Sequence, residues 1–280
     1  MYKGGYTPVW RGRLVLAVLA LVTVLTGCGG GGGGDSSGET PAAGGGDPTN
    51  LYPLAVGNRW IWQKTNSVSG VSTKIDEITR LATVQGTEVH VLQRRDAMTG
   101  QPEYGEELRL KTDAGVFELA RSTAAADLLL GLRRIELLRF PLKAGMSHVA
   151  LDQTGLDLGS DLDGDGVNER YAVRAQVTVS GVETVTVPAG TFPDAVHVVT
   201  VVRETVTLSR SSPLAATPTS TTTYDDWYAP GIGLVKNSEL SVYPSGQERD
   251  SLELIDYRVG DRVKPGVSAT SWTVVSPTDG

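Results

Sequence analysis

Strict alternation of apolar and polar residues constrains this chain more than any other feature of its sequence. The segments Thr87–Arg94 (TEVHVLQR) and Val173–Val187 (VRAQVTVSGVETVTV) repeat with a period of two. Successive side chains of a β-strand point to opposite faces of the sheet, so this period predicts strands with one buried and one solvated face. Such strands are typical of antiparallel sheets.

Ten segments show this alternation or are rich in β-forming residues, and each is bounded by Gly, Pro, Asn or Asp. The predicted strands are Arg59–Val68, Thr73–Val84, Glu88–Arg95, Glu106–Thr112, Val116–Arg121, Arg170–Val187, Ala195–Leu208, Thr219–Tyr228, Leu234–Val242 and Asp250–Val259. No internal linker divides them. We therefore predict one mostly β, antiparallel domain over residues 50–263, followed by a C-terminal tail over residues 264–280.

Two segments depart from this pattern. Ser122–Leu138 is rich in Ala and Leu, with Ser122 as a candidate N-cap, and it is the one place where a short helix is expected, although Gly131 interrupts it. Ser211–Thr223 is rich in Ser, Thr, Pro and Ala, which predicts an exposed hairpin loop.

The N-terminus has the organisation of an export signal. Three basic residues precede a mainly apolar segment, Leu14–Leu25, that is too short to span a bilayer as a helix, and small residues follow it. Leu25–Cys28 (LTGC) resembles the lipobox of bacterial lipoproteins. That resemblance implies a signal peptide over residues 1–27, and a mature N-terminus at Cys28 that carries palmitate-type acyl chains.

The residues after Cys28 predict a tether. In residues 28–49, Cys28 is followed by six consecutive glycines and then almost wholly by small or polar residues, which cannot bury enough apolar surface to fold. A flexible coil of that length reaches roughly 25 Å. Because Gly29 follows Cys28, and not Asp, the sorting rule of enteric-type lipoproteins implies the outer membrane. The predicted location is therefore the cell envelope, with membrane contact through the lipid anchor.

Charge and cysteine content exclude several classes of partner and bond. Without residues 1–27 the chain has 22 basic and 32 acidic residues, a net charge of −10. Such a surface repels phosphates, so no nucleic-acid partner is expected. Cys28 is the only cysteine, so the chain cannot form an intramolecular disulfide.

The strongest candidate for a metal site is Ser160–Arg170 (SDLDGDGVNER). Carboxylates occupy positions 1, 3, 5 and 9 of a loop, glycine occupies position 6, and a carbonyl is available at position 7. Hard oxygen ligands at this spacing suit Ca²⁺. An EF-hand would require a glutamate at position 12, where Ala172 stands. We predict a strand-to-strand loop that binds one structural Ca²⁺ through Asp161, Asp163, Asp165, the Val167 carbonyl and Glu169; the alternative is a solvated Asp-Gly turn.

A Pro-Leu-x-x-Gly motif occurs twice, in Tyr52–Trp60 and in Phe140–His148, and is predicted to open two β-rich halves. Three segments together resemble a group of uncharacterised bacterial secreted proteins and lipoproteins. They are the first copy of this motif, Val187–Val199 (VPAGTFPDAVHVV) and Trp227–Ser238 (WYAPGIGLVKNS). The resemblance spans most of residues 51–242. It implies a curved β-sheet or half-barrel, akin to that of periplasmic lipoprotein carriers, and it brings no catalytic residues.

The candidate catalytic motifs are weak. Gly34–Gly38 (GDSSG) matches Gly-x-Ser-x-Gly but lies in the tether, away from any strand-to-helix turn. The histidines His90, His148 and His197 have no metal-binding spacing, so zinc is disfavoured. The cluster Tyr224–Tyr228 fits core packing better than sugar binding. We predict no enzymatic activity and no catalytic residues.

The predicted function is a non-enzymatic envelope lipoprotein whose β domain has a binding or structural role. Two alternatives remain open. One is a periplasmic carrier of lipids or lipoproteins, which would require an apolar cavity, and the other is a hydrolase with an unrecognised site. Whether the partner is an envelope protein, a glycan or a lipid also stays open at this point.

Overall fold

The computed structural model describes residues 50–84, 86–103, 105–119, 135–209 and 219–264. These residues form thirteen β-strands and contain no helix. The strands are β1 Arg59–Asn66, β2 Gly70–Val84, β3 Thr87–Asp96, β4 Glu107–Thr112, β5 Gly115–Leu119, β6 Ile135–Arg139, β7 Ser147–Asp157, β8 Arg170–Val187, β9 Gly190–Thr207, β10 Thr219–Ala229, β11 Gly233–Tyr243, β12 Gly246–Val259 and β13 Arg262–Val263.

All the strands belong to one antiparallel sheet with the order β6-β5-β4-β3-β2-β1-β12-β11-β10-β9-β8-β7, and β13 pairs with β12. The sheet consists of two six-stranded meanders, β1–β6 and β7–β12, joined where β1 pairs with β12. It curves until its two edge strands approach each other, so that His148 Nε2 of β7 lies 3.3 Å from the Glu136 carbonyl oxygen of β6. The predicted mostly β, curved half-barrel is confirmed.

The concave face of this half-barrel holds the two larger apolar clusters, because alternate residues of the long strands point inward. One apolar cluster joins β6 and β7 to β8, β9 and β10. A second cluster joins β1 and β12 to the hairpin tip between β8 and β9. In that tip the Ala189 N–H donates to the Leu254 carbonyl oxygen of β12 at 2.8 Å, and Phe192 packs against Tyr257 with ring centroids 6.5 Å apart. The Pro-Ala-Gly-Thr-Phe turn thus closes one end of the core.

The two Pro-Leu-x-x-Gly motifs form the same turn at equivalent places. Gly57 and Gly145 both have positive φ, which glycine adopts without steric cost. The N–H of Gly57 donates to the Ile78 carbonyl oxygen of β2, and the N–H of Gly145 donates to the Val179 carbonyl oxygen of β8, each at 2.8 Å. One turn precedes β1 and the other precedes β7, so the prediction that they open two β-rich halves is confirmed.

The expected helix over Ser122–Leu138 is wrong at its C-terminal end. Ile135–Arg139 forms β6, because Ile135 and Leu138 are buried in the core and the segment pairs with β5. Burial of these side chains outweighs the helix propensity of leucine. The strand Ser147–Asp157 was also not predicted. Two irregularities in its pairing with β8 shift the phase of its alternation, so its sequence shows no clear period.

Several sequence-based predictions lie outside the described residues. These are the signal peptide over residues 1–27, Cys28, the tether that follows it, residues 122–134 of the expected helix, residues 211–218 of the expected hairpin loop and residues 265–280 of the tail.

Candidate functional site

The predicted calcium loop connects β7 to β8. Carboxylate oxygens of Asp161, Asp163 and Glu169 lie within 4.8 Å of one another, a spacing at which they could hold one cation. Asp165 is not part of this group. Its carboxylate accepts hydrogen bonds from the Ser209 hydroxyl at 2.8 Å and from the Val167 N–H at 2.9 Å. The loop therefore gathers three of the four predicted carboxylates.

The same carboxylates also organise the loop through its backbone. Asp161 accepts hydrogen bonds from the N–H groups of Gly166 at 2.8 Å and Gly164 at 2.7 Å, and these bonds hold the pKa of its carboxyl below the usual value. Glu169 is fully buried and accepts a hydrogen bond from the Ser209 N–H at 2.5 Å. A cation would share these oxygens with backbone donors, and carboxylates that bind metals are commonly hydrogen-bonded in this way.

A pocket that the sequence did not predict lies on the concave face, where β1 and β12 meet. We call it the central pocket. Its volume is about 840 Å³, counting the solvent at its mouth. Its apolar lining is Tyr52, Pro53, Trp60, Trp62, Leu92, Tyr228, Gly233, Leu234 and Leu252, and its polar lining is Lys64, Asp76, Arg94, Glu107, Arg109, Asn237, Glu239 and Asp250. The pocket is therefore amphipathic.

Strand register explains how these side chains converge. Trp60, Trp62 and Lys64 alternate along β1, so they share the concave face. On one side Trp60 is opposite Asp76 of β2, which is opposite Arg94 of β3. On the other side Lys64 pairs with Leu252 of β12. Glu239 of β11 pairs with Asp250 of the same strand β12.

Two tryptophans form part of the lining. The indole N–H of Trp60 donates to the Ile232 carbonyl oxygen at 2.8 Å, which fixes the orientation of the ring. Trp62 is only 2 % exposed, and its indole N–H has no hydrogen-bond partner among the described residues. Buried indole N–H groups usually have a partner, so this unsatisfied donor is unusual beside a pocket.

Each cation of the central pocket has a carboxylate partner. Arg94 donates two hydrogen bonds to Asp76, from Nε at 2.6 Å and from Nη2 at 2.5 Å. Lys64 Nζ lies 3.6 Å from Asp250 Oδ2. These pairs fix the geometry of the walls and leave little net charge for a ligand to meet.

Arg109 is the most enclosed of these cations. It pairs with Glu107 and with Glu118, whose Oε2 lies 2.9 Å from Nη1, and its Nε donates to the Tyr52 hydroxyl at 3.2 Å. Burial by itself would lower the pKa of Arg109, but Glu118, Tyr52 and Glu107 raise it above its usual value. The guanidinium therefore stays charged inside the sheet.

Glu239 differs from the paired carboxylates. Burial, together with Asp250 and Glu248, raises the pKa of Glu239 to about 7, although Ser241 and Lys64 act in the opposite direction. Near neutral pH this carboxyl can therefore donate or accept a hydrogen bond in the pocket.

The three histidines lie in different strands, and none lines the central pocket. His197 is on the convex face, where its Nε2 is 2.8 Å from Asp225 Oδ1, its Nδ1 is 3.5 Å from Glu183 Oε1, and its ring stacks on Trp227. Both ring nitrogens face carboxylates, so neither is positioned to accept a proton from a serine hydroxyl.

Burial of His148 lowers its pKa, and burial of His90 has the same effect. In the Tyr224–Tyr228 cluster, Tyr224 and Tyr228 are 2 % and 1 % exposed, which confirms core packing for these two rings.

The sequence carries a signal for the central pocket. Charged residues recur on the concave face of several strands: Lys64 on β1, Asp76 on β2, Glu107 on β4 and Glu239 on β11. Charged residues are rarely buried without partners, so charge at an inward position predicts ion pairs or a polar pocket.

No helix long and apolar enough to cross a membrane occurs in the described part of the chain.

Comparison with known proteins assigns no family. No family model and no curated protein matches this chain. Two solved structures share 15 % and 14 % sequence identity with it, and each match covers 74 % of this chain and 98 % of the other, with a TM-score of 0.37. They are a "putative exported protein with YmcC-like fold" from Bacteroides fragilis and a "putative lipoprotein" from Parabacteroides distasonis. Neither likeness is close enough to give this chain a family or a function.

Proposed function

We propose that this protein is a non-enzymatic lipoprotein of the cell envelope, anchored to the outer membrane by acyl chains on Cys28, whose half-barrel binds a small polar ligand in the central pocket. The observation that carries the binding role is the central pocket itself. It combines an aromatic and aliphatic lining with fixed hydrogen-bonding groups, which is the usual composition of small-molecule sites.

The pocket lining favours this role over that of a lipid carrier. An acyl chain in the pocket would lie against Arg94, Asp76 and the Lys64–Asp250 pair, and would displace water without offering them a hydrogen bond. Leaving polar groups unsatisfied in contact with hydrocarbon costs free energy, so a polar ligand fits the lining better.

The surroundings of His197 favour binding over hydrolysis. Among the described residues, His197 is the one histidine that has a carboxylate near each ring nitrogen. It lies on the face opposite the central pocket. A hydrolase of the serine type would need one of these nitrogens beside a nucleophile.

A structural Ca²⁺ in the β7–β8 loop is part of the same proposal. The ion would bind between Asp161, Asp163 and Glu169, with Asp165 and the Val167 carbonyl as further candidate ligands. The convergence of the first three carboxylates supports it. The ion would fix the connection between β7 and β8, whose residues do not line the central pocket.

Native mass spectrometry of the full lipoprotein, purified in detergent from its host, tests the binding role. We expect a bound small polar compound that is lost from Leu234→Trp, because the larger ring fills the pocket. Val242→Trp is the matched control, since Val242 is on the same strand but is exposed on the convex face. A protein with no bound compound, or one whose bound compound survives Leu234→Trp, would contradict the proposal.

A further inference from the structure

We infer that the ligand of the central pocket is a neutral, polyhydroxylated molecule of the monosaccharide or disaccharide class. This inference rests on the proposed binding function and specifies the ligand class for the same site.

The charge arrangement argues against an ionic ligand. The three cations that line the pocket, Lys64, Arg94 and Arg109, each have a carboxylate partner within the protein. An anionic ligand would have to compete with those carboxylates. A cationic ligand would have to compete with the cations for Asp76, Glu107 and Asp250, and Glu239, whose pKa burial raises to about 7, is only partly ionised at neutral pH. A neutral ligand can bind to the ion pairs without breaking them.

The hydrogen-bonding groups match hydroxyl groups. A hydroxyl donates one hydrogen bond and accepts others, so it can bind a guanidinium or ammonium group and a neighbouring carboxylate together. The Arg94–Asp76 and Lys64–Asp250 pairs offer such adjacent donors and acceptors on two walls of the pocket. The Asn237 amide adds a group of mixed character on β11, where it donates to Asp226 at 2.8 Å.

The apolar lining matches the other side of a sugar ring. Pyranose rings present C–H groups on their faces and hydroxyls around their edges. Trp60, Trp62 and Tyr52 lie among the lining residues, and Tyr52 is 6.1 Å from Tyr228 between ring centroids. Aromatic side chains next to paired charges therefore complement a molecule that is apolar on its faces and polar on its rim.

The test measures binding of defined probes to the full lipoprotein in detergent, by calorimetry and by tryptophan fluorescence. The neutral probes are glucose, galactose, maltose, lactose and chitobiose. The charged probes are glucuronate, glucose 6-phosphate and glucosamine, and the apolar probe is palmitate. We expect at least one neutral probe to bind, with an affinity that changes little with salt, because no ion pair forms on binding.

Variants locate the binding. Lys64→Met removes a pocket donor and keeps the aliphatic stem, so we expect affinity for the neutral probe to fall about 10-fold or more, a loss of about 1.4 kcal/mol. Lys236→Met is the matched control, because Lys236 lies over Trp227 on the convex face, and it should bind as the wild type does. Circular dichroism verifies that both variants fold.

The outcomes separate this inference from the function on which it rests. If glucuronate, glucose 6-phosphate or glucosamine binds in a Lys64-dependent way and no neutral sugar does, the ligand class is wrong and the binding function stands. If palmitate is the one probe that binds, the polar-ligand function is wrong as well and the lipid carrier is favoured. If no probe binds and the lipoprotein from its host carries no bound compound, both fail.

Discussion

Arg109 shows, at the scale of single residues, what a charge inside this sheet requires. Its side chain is 4 % exposed and lies between Glu107 and Glu118, which are 4 % and 2 % exposed. The desolvation of three charges is offset only while all three are present. The cluster is therefore sensitive to the loss of a single member.

We expect Arg109→Met to destabilise the protein by about 3–5 kcal/mol, since it leaves two buried glutamates without their cation. Arg174→Met is the control: Arg174 pairs with Asp152 at the surface, where both side chains are about half exposed, and its loss should cost less than about 1 kcal/mol. Urea unfolding of both variants measures the difference. Equal losses would show that the buried cluster contributes nothing beyond a surface pair.

Glu239 makes stability depend on pH. Its pKa is about 7 in the folded protein, above the usual value of 4.5, so the folded state holds the proton more tightly than the unfolded state does. The contribution of Glu239 to the free energy of unfolding is therefore greatest below pH 4.5. It falls by about 3 kcal/mol in total as pH rises from 4.5 to 7.

Glu239→Gln cannot ionise, so we expect its stability relative to the wild type to increase between pH 5 and pH 8. Urea unfolding midpoints at several pH values measure this change. Glu253→Gln, at an exposed position on β12, should follow the wild type at every pH. The interpretation would be wrong if Glu239→Gln showed the same pH dependence as the wild type.

The sequence predicts which face of the sheet a charged residue occupies, but it does not predict which residue is its ion-pair partner. Alternation along β1 puts Lys64 on the same face as Trp60 and Trp62. The partner of Lys64 is Asp250, in a strand near the other end of the chain. No local pattern encodes that pairing, because it depends on the closure of the whole sheet.

At the scale of secondary structure elements, the β7–β8 loop is the part most open to control by a ligand. We expect Ca²⁺ to bind the full lipoprotein and to raise its stability by about 2.7 kcal/mol at a hundredfold excess over Kd, which is a melting shift of roughly 5–10 °C. Mg²⁺ should do less, because it demands a tighter octahedron of ligands.

Asp163→Ala should abolish both the calorimetric heat and the melting shift. Asp194→Ala is the control, because Asp194 is exposed on β9, away from the loop. A wild-type protein whose melting temperature is unchanged in millimolar Ca²⁺ would mean that the carboxylates serve only their backbone N–H groups, as an Asp-Gly turn would.

The strands themselves were largely predictable. β8 begins and ends where its alternation does, at Arg170 and Val187, and β4 and β10 differ from their predicted bounds by one residue at one end. β6 and β7 were missed for different reasons. β6 is short and leucine-rich, and bulges interrupt the period of β7. Both are edge strands, which carry weaker sequence patterns because fewer neighbours constrain them.

At the scale of the whole molecule, the proposed anchor on Cys28 would determine where the half-barrel acts. We expect mass spectrometry of the mature protein to find Cys28 at the N-terminus with acyl chains attached, and fractionation to place the protein in the outer membrane. Cys28→Ala should release the protein from the membrane without changing the half-barrel, because the predicted tether would separate the two. An unmodified Cys28, or recovery in the inner membrane alone, would contradict this prediction.

The junction of β1 and β12 also has a consequence for biogenesis. Arg59 pairs with Arg258, about 200 residues later in the chain, so the first strand to be synthesised waits for the last long strand. At ribosomal speeds of about 5–20 residues per second that delay is roughly 10–40 s. During it one edge of β1 is unpaired and open to any extended segment, including β12 of another nascent copy. We therefore expect β1 to complete its pairing only when the C-terminal half of its own chain is available.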